Sequence, residues 1–194
     1  MRSRSPRPYR GNDDQGFSLI EVLVALTLIA VIFVAADRGA IEGLSAAALV
    51  KERSVASGLM TSAMAEAIAL PFSDLENGLN PTTDTSFATD PNIVASGSTN
   101  CSATPPTSGY ELKLKGSVVP TSTSTIPVCN TKTSDAPLVP HVSTVLEGIN
   151  YNVYAYPTTS TSAPGLVTVV VVVTWKSPTG NAQQVVGEDG VAAP

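Results

Sequence analysis

An apolar run from Phe17 to Ala36, placed directly after Gly16 and a basic leader, constrains this chain more than any other feature. It reads F-S-L-I-E-V-L-V-A-L-T-L-I-A-V-I-F-V-A-A, which matches the ~20 residues needed to span a bilayer as a helix. Glu21 is the one carboxylate within it. An acid in such a run costs roughly 2.5–3.5 kcal/mol on insertion scales, so it needs a partner or a purpose. Arg2, Arg4, Arg7 and Arg10 precede the run, whereas Asp37 and Arg38 cancel each other just after it. The positive-inside rule therefore holds the N-terminus in the cytoplasm and sends the C-terminal part across the membrane. An ordinary secretory signal would be cut after its apolar segment, but helical character continues past Ala35 and Ala36. An uncleaved signal anchor is the plainer alternative.

Beyond the run, composition removes several function classes. The chain carries a formal charge of −5, and only 14% of its residues are charged. After residue 70 the cations are Lys113, Lys115, Lys132 and Lys176 against nine acids. That is not the basic stripe of a nucleic-acid reader, so no direct nucleic-acid site is expected. Cys101, Cys129 and His141 are the whole Cys/His inventory. It is too small for a zinc cluster within one chain, so no metal site is expected. His141, in P-L-V-P-H-V, has no partner in the sequence with which to activate a thiol. No Gly-rich phosphate loop and no G-x-S-x-G stands in 71–194. The expectation is a chain that is not an enzyme and holds no cofactor.

The helix is expected to outrun the membrane. Ile41 to Leu70 is rich in Ala, Leu, Met and Glu and free of proline until Pro71. Ala56, Leu59, Met60, Ala63, Met64, Ala67 and Ile68 recur at three- and four-residue spacing and form one apolar stripe. One helix over about 17–70 would measure ~80 Å at 1.5 Å per residue. Gly39 and Gly43 give it a small-xxx-small spacing. Residues 71–109 are dominated by Ser, Thr, Asn, Asp, Gly and Pro and read as a polar loop, with a helical turn near Ser73–Asn77.

Strands follow. Tyr110–Val119 alternates apolar with polar, Ile149–Tyr156 is tyrosine-rich, and Leu166–Trp175 is nearly continuous valine. The last of these reads as a central strand buried on both faces, and Ala182–Gly187 completes a hairpin with it. A strand so apolar is a hazard on an edge, and the helical stripe at 56–68 is its natural cover. The expected fold class is α+β, a long N-terminal helix packed on a small antiparallel β-sheet. On the topology inferred above, Cys101 and Cys129 lie in an oxidising compartment, where a disulfide is the natural state. It would tie the polar loop to the segment after the first strand.

The block Gly16-Phe17-Ser18-Leu19-Ile20-Glu21, set between a short basic leader and a long apolar helix, resembles the class III signal of type IV pilins and type II secretion pseudopilins. The resemblance covers only the N-terminal part of the chain. It implies that a prepilin peptidase cuts between Gly16 and Phe17 and that Phe17 becomes an N-methylated terminus. By position, Glu21 matches the family's carboxylate, whose implied role is to pair with the N-terminus of a neighbouring subunit. A methylated α-amine is still basic, so a cation would be at hand near neutral pH. The competing reading is that Glu21 snorkels to the cytoplasmic interface, only about 6–8 Å away.

The implied organisation is a leader at 1–16, a membrane-spanning and filament-core half-helix at 17–40, an amphipathic half at 41–70, the loop at 71–109 and a β-sheet head at 110–194. The implied partners are the peptidase, other pilin or pseudopilin subunits, an inner-membrane assembly platform, and membrane lipid before assembly. The implied destination is a pilus or pseudopilus at the cell surface. The segments I-E-V-L-V-A-L and A-E-A-I-A-L-P-F-S-D-L are more similar to PilV-type minor pilins than to major pilins. A secretion or competence pseudopilin, or a signal-anchored binding domain contacting a surface through the Ser/Thr-rich loop, are the alternatives.

Overall fold

A computed structural model of the chain describes residues 18–82, 90–103, 106, 108–114, 125–131, 142–160 and 162–194. Helix α1 runs Leu19–Ile68 and is followed by a short α2, Phe72–Asn77. Six strands come next: β1 Ile93–Ala95, β2 Tyr110–Leu112, β3 Val142–Leu146, β4 Ile149–Thr159, β5 Leu166–Lys176 and β6 Ala182–Ala192. β1 pairs with β2, and β3-β4-β5-β6 form an antiparallel meander in that order. The fold is α+β, a long N-terminal helix against antiparallel sheet. By contacts the chain divides into Met1–Ala47 and Ala48–Pro194, so α1 contributes its first part to one unit and the remainder to the other.

The first unit is the apolar part of α1. Its large side chains are exposed, among them Leu28 (60%), Phe33 (66%) and Leu44 (73%). α1 includes a window of mean hydropathy 2.8, none of it buried. A helix apolar all round needs a bilayer or other helices as its surroundings.

The second unit is built on β5. Val169 to Val173 are 0–1% exposed in succession, so both faces of this strand are covered, as a continuous valine run requires. Each valine buried in this way contributes about 1.5–3 kcal/mol relative to exposure. Trp175 of β5 and Gly187 of β6, both at odd-numbered positions, lie on the sheet face toward α1. On this face the Trp175 indole N–H donates to the buried Glu52 carboxylate at 2.9 Å, and Met60 packs onto Gly187, where a Cβ would lie 2.7 Å from its sulfur. Tyr151 joins the cluster with its ring 5.8 Å from that of Trp175. Burial and, next, the Glu52 charge push the Tyr151 phenol above its ordinary value. Ala56 and Ala67 are buried from the apolar stripe, with Leu59, Met60, Ala63 and Met64 half-buried beside them. The stripe is therefore the cover of the sheet.

Even-numbered positions of β4 face the other way. There the Tyr156 hydroxyl donates to Asp90 at 2.7 Å and accepts from the Asn92 amide at 3.0 Å. This clamp fixes the segment leading into β1 onto the sheet. Burial pushes the Tyr156 phenol far above 10.0, and Asp90 adds to the rise. A raised folded-state value means that Tyr156 favours folding below its unfolded value near 10.0 and that this support is lost as pH climbs. Absorbance titration at 295 nm should therefore show Tyr156 ionising together with alkaline unfolding, as a step missing from Tyr156→Phe.

A strut formed by 125–130 completes the core. Ile126 N donates to Tyr110 O, Leu79 N to Pro127 O and Cys129 N to Asn77 O, while Thr125 bridges Thr159. Gly78 makes the turn out of α2 at φ 69°, ψ −136°, a region open essentially to glycine alone. A Cβ there would fall on the Pro127 carbonyl. Gly78→Ala should lower stability by at least ~1–3 kcal/mol from backbone strain alone, read as a reduced thermal midpoint.

The structure departs from the sequence expectations at several boundaries. α1 ends at Ile68 rather than at 70, because Pro71 disfavours helical geometry in the residue before it. β2 stops at Leu112; the rest of the Tyr110–Val119 expectation, from Lys115 on, lies outside the described residues. β4 passes through Pro157 to Thr159, since Pro157 lies beyond Val153, the last residue paired with β3. β6 continues past Gly187 to Ala192, paired with β5 along its whole length. β1 stands inside the segment read as loop and β3 has no counterpart among the expected strands, whereas α2 falls where the helical turn near Ser73–Asn77 is expected.

Candidate functional site

The site singled out by the sequence is the start of α1. Gly16 and Phe17, the expected cleavage and methylation positions, lie outside the described residues. Ser18 immediately precedes the helix, and its carbonyl accepts from the Glu21 N–H at 2.9 Å and from Val22 N–H at 3.2 Å. Glu21 is thus the third residue of α1 and the acid of its first turn. A carboxylate there meets the positive end of the helix dipole, a contribution of about 0.3–1 kcal/mol. Ser18-Leu19-Ile20-Glu21 also has the S-x-x-E pattern of a helix start, a signal the family-based reading of Glu21 passes over. Glu21 is exposed and forms no ion pair among the described residues.

Chemically, this helix start can present one carboxylate on an otherwise apolar cylinder. Leu19, Ile20, Val22 and Leu23 around it are 79%, 69%, 48% and 53% exposed. When such a surface enters a bilayer or a helix bundle, the acid loses its water and a cation brought to it gains strength. A free N-terminal amine created just ahead of the helix would be such a cation.

Cys101 and Cys129 are joined as a disulfide with Cα atoms 5.4 Å apart. The bond fastens the segment after β1 to the 125–130 strut, one residue from the Gly78–Val128 bridge. Among the described residues no group of His, Cys, Asp and Glu is arranged to hold a metal ion. The most buried carboxylate among the described residues, Glu52 at 5% exposure, is occupied by Trp175. Its signal was present in the sequence: Glu52 stands four residues before Ala56, on the same helical stripe.

The family model for the prokaryotic N-terminal methylation motif matches residues 11–36. The matched stretch holds Gly16, Phe17 and Glu21 together with the apolar run. The motif and the apolar helix support a type IV pilin-like, membrane-anchored exported protein, and imply processing by a prepilin peptidase and pilin-type assembly in general. No curated protein and no solved structure matches the chain.

Proposed function

We propose that this chain is a structural subunit of a type IV pilus, most similar in role to a minor pilin, and that it has no catalytic activity of its own. In this reading a prepilin peptidase cleaves between Gly16 and Phe17 and methylates the new terminus. The head crosses the membrane, and the subunit joins the filament through the apolar part of α1. Glu21 pairs with the N-terminal amine of a neighbouring subunit. The observation that carries the reading is the methylation motif at 11–36 running directly into a helix that reaches Ile68. The apolar half suits other helices once it leaves lipid, and the second half is built into the core of the head through Ala56 and Ala67.

Fractionation of sheared surface filaments from the native host tests this. A minor pilin appears in the fraction in small amounts relative to the main subunit, and its deletion alters filament number. If the chain stays in the envelope and its loss blocks protein secretion while surface filaments are unchanged, it is a type II secretion pseudopilin instead. If it stays in the membrane and neither process changes, the assembly reading fails.

A further inference from the structure

We propose that the outer face of the four-stranded sheet, at the end bearing its two hairpin turns, is a binding groove for a neutral oligosaccharide. The groove has a volume of about 1160 Å³ and lies between the Glu147-Gly148 turn and the Ser177-Pro178 turn, slightly above the ~300–1,000 Å³ usual for small-ligand sites. Its floor comes from strand register. Asn152 pairs with Thr174, and Thr174 with Gln184, so three uncharged hydrogen-bonding side chains stand abreast on neighbouring strands. Ser143 extends the rung onto β3 opposite Asn152. Asn150, two residues back on β4, shares the face, and its amide oxygen accepts from the Ser143 hydroxyl at 2.7 Å. Tyr154 lies further along the same face and hydrogen-bonds Thr174.

The chemistry of this floor selects the occupant. A primary amide has two donors and an acceptor with two lone pairs, and a hydroxyl both donates and accepts. An amide, a hydroxyl and an amide (Asn152, Thr174 and Gln184), each set on the strand next to the last at the ~4.8 Å strand spacing, match the hydroxyls of a sugar, which also donate and accept. Bonds already made inside the sheet, such as Ser143 to Asn150, hold these groups in place and reduce the ordering cost of binding. An anion would find one groove-lining cation, Lys176, with Glu147 on the facing rim already paired to Lys51 at 2.8 Å. An apolar ligand would strip water from the amides at about 1–3 kcal/mol for each group left unsatisfied. A peptide strand would pair with backbone groups at a sheet edge and not lie across side chains. The groove belongs wholly to the second unit.

The test uses the full mature chain, isotope-labelled, in a phosphocholine micelle, since maltoside detergents would compete. Maltotriose, chitotriose and mannotriose are the neutral probes, and sialyllactose is the anionic comparator. At least one neutral trisaccharide should shift the side-chain amide signals of Asn150, Asn152 and Gln184 saturably at millimolar concentration or below. Gln184→Ala and Asn152→Ala should each weaken that binding at least fivefold with the thermal midpoint preserved. Gln184 is exposed on the edge strand, so its removal leaves the core intact. The proposal is overturned if no neutral trisaccharide moves these signals, if sialyllactose binds more tightly than all three, or if binding is unchanged in Gln184→Ala and Asn152→Ala.

Discussion

Glu21→Ala should leave cleavage between Gly16 and Phe17 largely intact while lowering incorporation into filaments at least about tenfold. The acid is a single carboxylate among exposed apolar side chains of α1, within its first turn. As a helix-start residue alone it contributes ~0.3–1 kcal/mol, a loss that a 50-residue helix absorbs. As the partner of a neighbour's N-terminal amine it acts in a water-poor interior, where removing one member of an ion pair costs about 3–5 kcal/mol. The two roles are therefore separated by magnitude. Quantitative immunoblotting of sheared filaments against whole-cell levels gives the answer, with N-terminal analysis of the mutant checking that processing persists. Incorporation at the wild-type level would assign Glu21 to the helix start alone.

The second large effect belongs to the head. Replacing Cys101 and Cys129 together by serine should cost about 3–4 kcal/mol on the chain-entropy account of a loop with sequence separation 28. For a chain of this size that corresponds to a thermal midpoint roughly 6–16 °C lower. The position makes the bond more than a surface staple. It anchors the strut whose backbone pairs with Tyr110, Leu79, Asn77 and Thr159, and whose Ile126 and Val128 are buried in the core. Circular dichroism melts of the mature protein under oxidising and reducing conditions measure this directly. Wild type under reduction should approach the double mutant, and equal midpoints in all samples would show that the strut is held by its hydrogen bonds and apolar contacts alone. By comparison, the Lys51–Glu147 ion pair is more than half exposed on both sides, and its loss should change the midpoint little.

What was legible in the sequence follows from how strongly each segment commits to one environment. α1 and β5 were visible because their apolar patterns are long and admit one solution each: a lipid-like surrounding for Phe17–Ala36 and double-sided burial for Val169–Val173. β3 was not visible, because Val142–Leu146 is mostly exposed and shows no apolar face to alternate against. The far half of β6 contains Gly187, Glu188, Asp189 and Gly190, all poor strand formers. It is a strand because β5 offers it a partner as far as the Leu166–Ala192 pair. Tertiary context overrode local preference at this point, and no window of sequence contains that information.

The site divides in the same way. Gly16, Phe17 and Glu21 are contiguous, so their chemistry can be read along the chain. The Glu52–Trp175 bond joins residues 123 positions apart, and the Asn152-Thr174-Gln184 rung depends on two strand registers. Neither could be assembled without coordinates. Glu147, at φ 52° in the β3–β4 turn, is another case. A two-residue hairpin turn with both residues in the left-handed region favours Asn, Asp or Gly at this place, and glutamate there gave no turn signal. The ion pair with Lys51 is what its longer side chain can make from that position.

The central claim is that the apolar helix begins at a cut made after Gly16 and that its new terminus is modified. Intact-mass and N-terminal fragment spectrometry of the protein purified from its native membrane or filaments reads this in one measurement. The account predicts a chain beginning at Phe17 with one methyl group on its α-nitrogen. A mature protein that begins at Met1, or at a residue beyond Ala36, would contradict it.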